Sequence, residues 1–275
     1  MRVWICGARG STPAAGPDYL RYGGHTSCLA VSTDPNGPPE LILDAGTGIR
    51  NVTALLGGEP FKGHIVLTHL HWDHVQGLPF FGGGDRDDAH VSLWIPDQPG
   101  GEAELILARA MSPPHFPISP TELRGDWTFG LISSGCARLG PFEIESRPVP
   151  HKGGVTFGYR VSDGRSTFAY IPDHCPTQFG VGPEGWGEYH PDAMALAHDA
   201  DALFHDAHLT SDELEVEKVF GHAAAEYAHS LGRRAGARRL VLFHHKPTRT
   251  DDEVDQIASR LPGAQPAREG SVIDL

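Results

Sequence analysis

The chain is poor in cysteine: four among 275 residues, with no two close enough to form a Cys-x-x-Cys pair. Cys6, Cys28, Cys136 and Cys175 are scattered, which excludes a disulfide framework and a thiolate zinc site as organising features. The expected state is four reduced thiols in a cytoplasmic protein. Long apolar runs are missing too. No segment approaches the ~18 apolar residues a membrane-crossing helix needs, and residues 1–7 carry neither an apolar core nor a cleavage motif for export. Positive charge is scarce: 22 Lys and Arg stand against 35 Asp and Glu, a formal net charge of −13. A protein that grips a long polyanion carries a basic stripe. The one dense basic group, Arg233, Arg234, Arg238 and Arg239, falls at and after a helix end, where cations meet the helix dipole and solvent. Composition therefore disfavours a nucleic-acid polymer as partner. Linkers, low-complexity tracts and fixed-period repeats are absent as well, so residues 1–275 are read as one domain. A chain of this size can bury about three quarters of its unfolded surface.

Histidine, by contrast, is abundant at 17 residues. The chain turns on Thr68-His69-Leu70-His71-Trp72-Asp73-His74, which packs three imidazoles and a carboxylate into six residues. The apolar segment His64–Leu67 before it reads as a buried strand, and Val75–Pro79 after it reads as one helical turn and a break. A strand ending in a tight turn can aim several ligands at one point. Neutral imidazole and carboxylate suit zinc, and also manganese or iron.

The same juxtaposition recurs along the chain. Apolar strands stop at His151, at Asp173, at Asp206 to His208, and at His244-His245. Asp44 follows the strand Leu41–Leu43, placed either to orient a metal-binding His from behind or to cap a turn. Between these points, helices are expected at 49–56, 102–111, 223–234 (opened by His222) and after the capping-box residues Thr210 and Thr250. The Pro-bounded bend 112–117 carries Phe116, expected as core filling. The texture is α/β, with two sheets inside and helices outside. In such a domain, strand ends on one edge converge on one crevice. Five imidazoles and two carboxylates (His69, His71, Asp73, His74, His151, Asp173, His244) exceed the needs of one tetrahedral ion and fit two divalent ions sharing a carboxylate and a water. Zinc stands first and manganese second.

Order and spacing resemble the metallo-β-lactamase superfamily, whose His-x-His-x-Asp-His signature is matched by His69 to His74, over nearly the full length. The resemblance implies a four-layer αββα sandwich of two mixed sheets. It implies His69, His71 and His151 on one metal, Asp73, His74 and His244 on the other, and Asp173 between them, with His245 a rival for His244. Phe204-His205-Asp206-Ala207 and Gly221-His222 resemble elements of the phosphodiesterase branch, tRNase Z and the phosphoribosyl 1,2-cyclic phosphodiesterase group. Gly7 to Pro13, Gly23 to Cys28 and His244 to Pro247 resemble that branch as well. Here Asp206 stands in place of Glu, one methylene shorter. The branch implies that His222, held by Asp206, protonates the leaving oxygen. His174, His205 and His208 have no assigned role. The expected function is dinuclear metal-dependent hydrolysis of a small or cyclic phosphodiester through a bridging hydroxide. The catalytic residues would be Asp73, His222 and Asp206. The alternatives are a tRNA 3′-processing nuclease and a lactonase or thioesterase of the same fold, with a non-enzymatic binding protein last. A homodimer stays open.

Overall fold

A computed structural model describes residues 1–275. Arg2–Gly7 (β1), Cys28–Ser32 (β2), Leu41–Leu43 (β3), Lys62–Val66 (β4), His90–Pro96 (β5) and Asp126–Ile132 (β6) form one sheet. Gly135–Leu139 (β7), Phe142–Pro148 (β8), Phe157–Ser162 (β9), Thr167–Ile171 (β10), Ala202–Asp206 (β11), Leu240–Phe243 (β12) and Ala264–Pro266 (β13) form a second. The last strand, Val272–Asp274 (β14), returns to the first sheet and pairs antiparallel with β1, Val3 opposite Ile273. Each sheet is half antiparallel and half parallel. β3 to β6 run parallel in the first, and β10 to β13 in the second.

The inner parallel strands β3, β10, β11 and β12 are buried at nearly every position because both their faces are covered. Leu41 and Leu43 enter the core between the sheets, while Ile42 faces outward. Phe168, Tyr170, Val241 and Phe243 likewise face inward, and Ala169, Ile171, Leu240 and Leu242 outward. The helices are Ile49–Leu55 (α1), Trp72–Val75 (α2), Ala103–Ala108 (α3), Pro191–Ala197 (α4), Leu214–Glu217 (α5), Ala225–Arg234 (α6) and Asp251–Ser259 (α7). α1 and α3 pack on the outside of the first sheet. α4 and α6 pack on the second, where Ala193, Ala197, Ala225 and Ala228 allow close approach. The result is the expected four-layer αββα order, and it brings the ends of β4, β8, β10, β11 and β12 to one edge.

Some elements depart from the sequence reading. β7 and α4 were not anticipated. β7 is a mostly exposed edge strand, so it carries no apolar alternation, and α4 opens at Pro191, directly after a stretch rich in Gly, Pro and Trp (180–190) that reads as loop. α6 starts at Ala225, not Ala223, because Ala224 is extended and bridges Leu209. Phe116 is not core. It lies half-buried at the surface, edge-on to the exposed ring of Phe80 with centroids 5.9 Å apart. Two of the four arginines in the basic group pair locally: Arg234 with Glu184, and Arg238 with Asp201.

One buried cation ties the N-terminal turn to the far end of the chain. Arg9 is fully buried; it donates to the carbonyls of Gly23 (2.8 Å) and Arg249 (2.6 Å) and to Asp251 Oδ1 (3.1 Å). Asp251 also accepts from the Arg21 amide at 2.6 Å. Removing one member of such a pair strands the other. Arg9→Met should therefore lower unfolding stability by about 3–5 kcal/mol in urea titration. A loss under about 1 kcal/mol would show the pair to be replaceable.

Candidate metal centre

Four strand ends and one short helix build the centre. After β4 the chain turns at Thr68-His69-Leu70-His71 and enters α2, with His71 as N-cap and Asp73 and His74 on the buried side. β8 delivers His151, β10 delivers Asp173, and β12 delivers His244. The last takes the left-handed conformation (φ 59°), which turns its ring back over the sheet edge.

The side chains meet at distances that suit ligands of a shared metal ion. His74 Nε2 lies 2.9 Å from Asp173 Oδ2 and 3.3 Å from Asp73 Oδ2. His244 Nε2 lies 3.0 Å from Asp73 Oδ2 and 3.4 Å from Asp173 Oδ2. Across the carboxylate, His151 Nε2 lies 3.5 Å from Asp173 Oδ1 and 3.2 Å from His71 Nδ1. A tetrahedral ion with bonds of about 2.0–2.1 Å has ligand–ligand edges of about 3.3 Å. His69, His71 and His151 form one group within reach of one ion, and Asp73, His74 and His244 another. Asp173 turns one oxygen towards each.

His69 Nε2 is buried without a hydrogen-bond partner, and His74 Nε2 and Asp173 Oδ2 face only each other, Asp73 and His244. A buried atom without a partner costs about 1–3 kcal/mol unless something completes it. Nitrogen and carboxylate oxygen with no thiolate is a donor set for zinc, manganese or iron. The residues present therefore fit divalent metal.

The surroundings set which ring nitrogen points inward. His74 Nδ1 donates to Asp44 Oδ2 at 2.8 Å, and His151 Nδ1 to the Gly221 carbonyl at 2.7 Å. Asp44 also accepts from the Thr68 amide (2.7 Å), the Thr68 hydroxyl (2.9 Å) and the Tyr170 hydroxyl (2.9 Å). Thr68 Oγ1 in turn lies 3.1 Å from His69 Nδ1. Thus Asp44 orients a histidine and does not cap a turn. The glycine-rich opening contributes as well: the Ser11 amide donates to Asp73 Oδ2 at 2.6 Å. A Cβ at Gly10 would sit 2.2 Å from His244 Nδ1, so only glycine fits there. Thr68, Tyr170, Ser11 and the Gly221 carbonyl were missed by sequence reasoning. Tyr170 reaches Asp44 across 126 residues, and backbone groups leave no side-chain signal.

The remaining candidates sort themselves. His245 turns away and donates from Nε2 to the Ala267 carbonyl at 2.9 Å, so it faces no metal position. His222 Nδ1 donates to Asp206 Oδ2 at 3.1 Å and lies 3.5 Å from Asp173 Oδ1. Asp206 is fully buried and also accepts from the amides of His174 (3.0 Å), His208 (2.9 Å) and Ala223 (3.2 Å). His174 and His205 join ring to ring at 3.0 Å, and His205 bonds the Asp206 carbonyl at 2.8 Å. His208 stacks on His222 with centroids 4.1 Å apart.

Charge follows this geometry. Burial alone would neutralise Asp173, but His244, His74, His69 and His151 hold its carboxyl well below the usual range. Burial would strip the proton from His74, but Asp73, Asp173 and Asp44 together raise its pKa well above the ordinary value. Burial, reinforced by His74, pushes His69 well below. For His222, burial is outweighed by Asp206, and the pKa rises to about 8.

A four-layer sandwich with histidine and aspartate groups at one sheet edge defines a metal-dependent hydrolase site. Residues 40–245 match the model of the beta-lactamase superfamily domain, and the chain belongs to that family. It is 24% identical to ribonuclease Z of Haloarcula marismortui over 316 residues, covering 99% of this chain and 94% of the relative. It is 29% identical to ribonuclease Z of Salinibacter ruber over 292 residues, covering 89% and 87%. Among solved structures it resembles a diphosphatase from the PhnP family, with TM-score 0.68 and 18% identity, covering 100% of this chain and 97% of the other. None of its helices is long and apolar enough to cross a membrane.

Metal must displace the proton held on His74. Loading the metal-free protein with zinc at pH 7 should release at least one proton, and apparent affinity should fall as pH falls. Calorimetry in buffers of different ionisation enthalpy measures this. Loading without proton release would mean that His74 is already bare.

Proposed function

We infer that the protein hydrolyses a small phosphodiester at a centre of two divalent ions. The single observation carrying this reading is the His222–Asp206 pair beside the Asp173 carboxylate. A thioester releases a thiolate that departs without a proton, whereas the alkoxide leaving a phosphodiester needs one.

His69, His71 and His151 would hold one ion, Asp73, His74 and His244 the other, and Asp173 would serve both. The histidine-rich donor set puts zinc ahead of manganese. When bound, the ions supply positive charge against the phosphate oxygens and acidify water at neutral pH. Asp44, Thr68 and the Gly221 carbonyl keep the rings aimed, so no reorganisation is needed as charge develops. Asp206 cannot rotate away, because three amides and His222 occupy it. It holds His222 protonated and in place to give its proton to the leaving oxygen. Residues 1–275 act as one domain, and the unpaired thiols fit the cytoplasm.

A second reading takes its support from the relatives: a ribonuclease acting on RNA ends. Net charge of −13 and the pairing of Arg234 and Arg238 with acids weigh against it. It requires RNA binding that weakens steeply with salt.

Zinc- or manganese-loaded protein should hydrolyse bis-p-nitrophenyl phosphate and lose that activity to chelator. Hydrolysis of a lactone but of no diester would overturn the reading. His222→Ala should cut turnover about 10²–10⁴-fold on a diester with a poor leaving group and far less on a p-nitrophenyl ester; equal losses would count against proton donation. The acid works protonated, and bound cations pull its pKa down. Turnover of the poor substrate should therefore fall as pH rises through a value at or below about 8, a limb absent in the variant.

A further inference from the structure

Two exposed aromatic rings flank the centre, and the fold has no use for them. Trp72 is 75% exposed and Phe220 61% exposed. Both line an open cavity of about 470 Å³ together with His71, Asp73, His151 and His222. No Lys or Arg lines that cavity. The nearest cation in sequence, Lys152, is exposed and lies against Gly221.

Both rings are tied to the centre by short, fixed segments. In α2, Asp73 and His74 are buried, and the helical period of about 100° per residue then turns Trp72 towards solvent. Phe220 precedes Gly221, whose left-handed backbone (φ 88°) aims its carbonyl at His151 and leads directly into His222. Substrate approaching His71, His151 and His222 therefore meets these two rings first. Aromatic walls bind planar apolar groups through their faces.

We propose that Trp72 and Phe220 form a subsite for a planar aromatic substituent, an aryl group or a nucleobase, on a singly charged phosphodiester. This rests on the phosphodiesterase reading and narrows its substrate class.

Zinc-loaded protein is titrated calorimetrically with diphenyl phosphate and diethyl phosphate, which carry the same charge and differ only in their substituents. Wild-type protein should prefer the diphenyl ester at least tenfold. Trp72→Ala and Phe220→Ala should each reduce that preference about fivefold, and Trp72→Phe should keep most of it. Phe80→Ala, an exposed ring outside the cavity, should leave the preference unchanged. Equal wild-type affinity for both esters overturns the proposal. So does an equal loss for both in the variants, or variants that change only the oligomeric state. Titration reads binding without turnover. Preference for the diphenyl ester without hydrolysis of bis-p-nitrophenyl phosphate would overturn the phosphodiesterase reading and leave the subsite standing.

Discussion

One carboxylate has to serve two groups of imidazoles. Asp173 is almost wholly buried, with Oδ1 on the His151 side and Oδ2 on the His74 and His244 side. The two groups are only as far apart as that carboxylate is wide, so strands from both sheets must end within ångströms of each other. The fold meets this through its parallel halves: β4 in one sheet and β10 and β12 in the other stop at the same edge. A slip of one residue in any of them would send its ligand to the other face. The apolar inner face of each strand therefore fixes the register of the centre as well as the core.

Much of the polar apparatus exists to fix which ring nitrogen faces the metal position. A neutral imidazole has one donor and one acceptor nitrogen, and the protein occupies the donor. Asp44 does this for His74, Gly221 for His151, and Thr68 for His69. Asp44 can do so because it sits in the left-handed conformation (φ 59°) at the end of β3 and is saturated by Thr68 and Tyr170. Backbone strain at Asp44 and His244 and an orphaned nitrogen at His69 fall in one place. Such concentrated cost is the mark of a site shaped for a ligand.

How much of this could be read from the chain depended on whether the signal was local. The group from His69 to His74 was legible because one turn holds four ligand types. Asp173, His151 and His244 became legible only in company, since each is a single polar residue after an apolar run. The choice of His244 over His245 is decided by backbone conformation, which sequence does not display. The start of α6 was misplaced because Ala223 and Ala224 have high helix propensity, and a tertiary bridge from Ala224 to Leu209 overrides it. β7 escaped notice for the opposite reason: a solvent-facing edge strand needs no apolar pattern.

Asp206 stands where the resembled branch has a glutamate, so its reach towards His222 is one methylene shorter. The structure removes the deficit without lengthening the side chain. Residues 222–224 are not helical. The segment lies close enough to β11 for the Ala223 amide and the His222 ring to reach the same Asp206 oxygen, at 3.2 and 3.1 Å. The correction to the helix start and the His222–Asp206 contact are thus one fact: had α6 begun at Ala223, the winding of its first turn would have competed with that approach. A short carboxylate fixed by three amides loses little entropy on holding a histidine. A longer one, free to turn, would lose more, so at this position the shorter side chain is the better-organised partner.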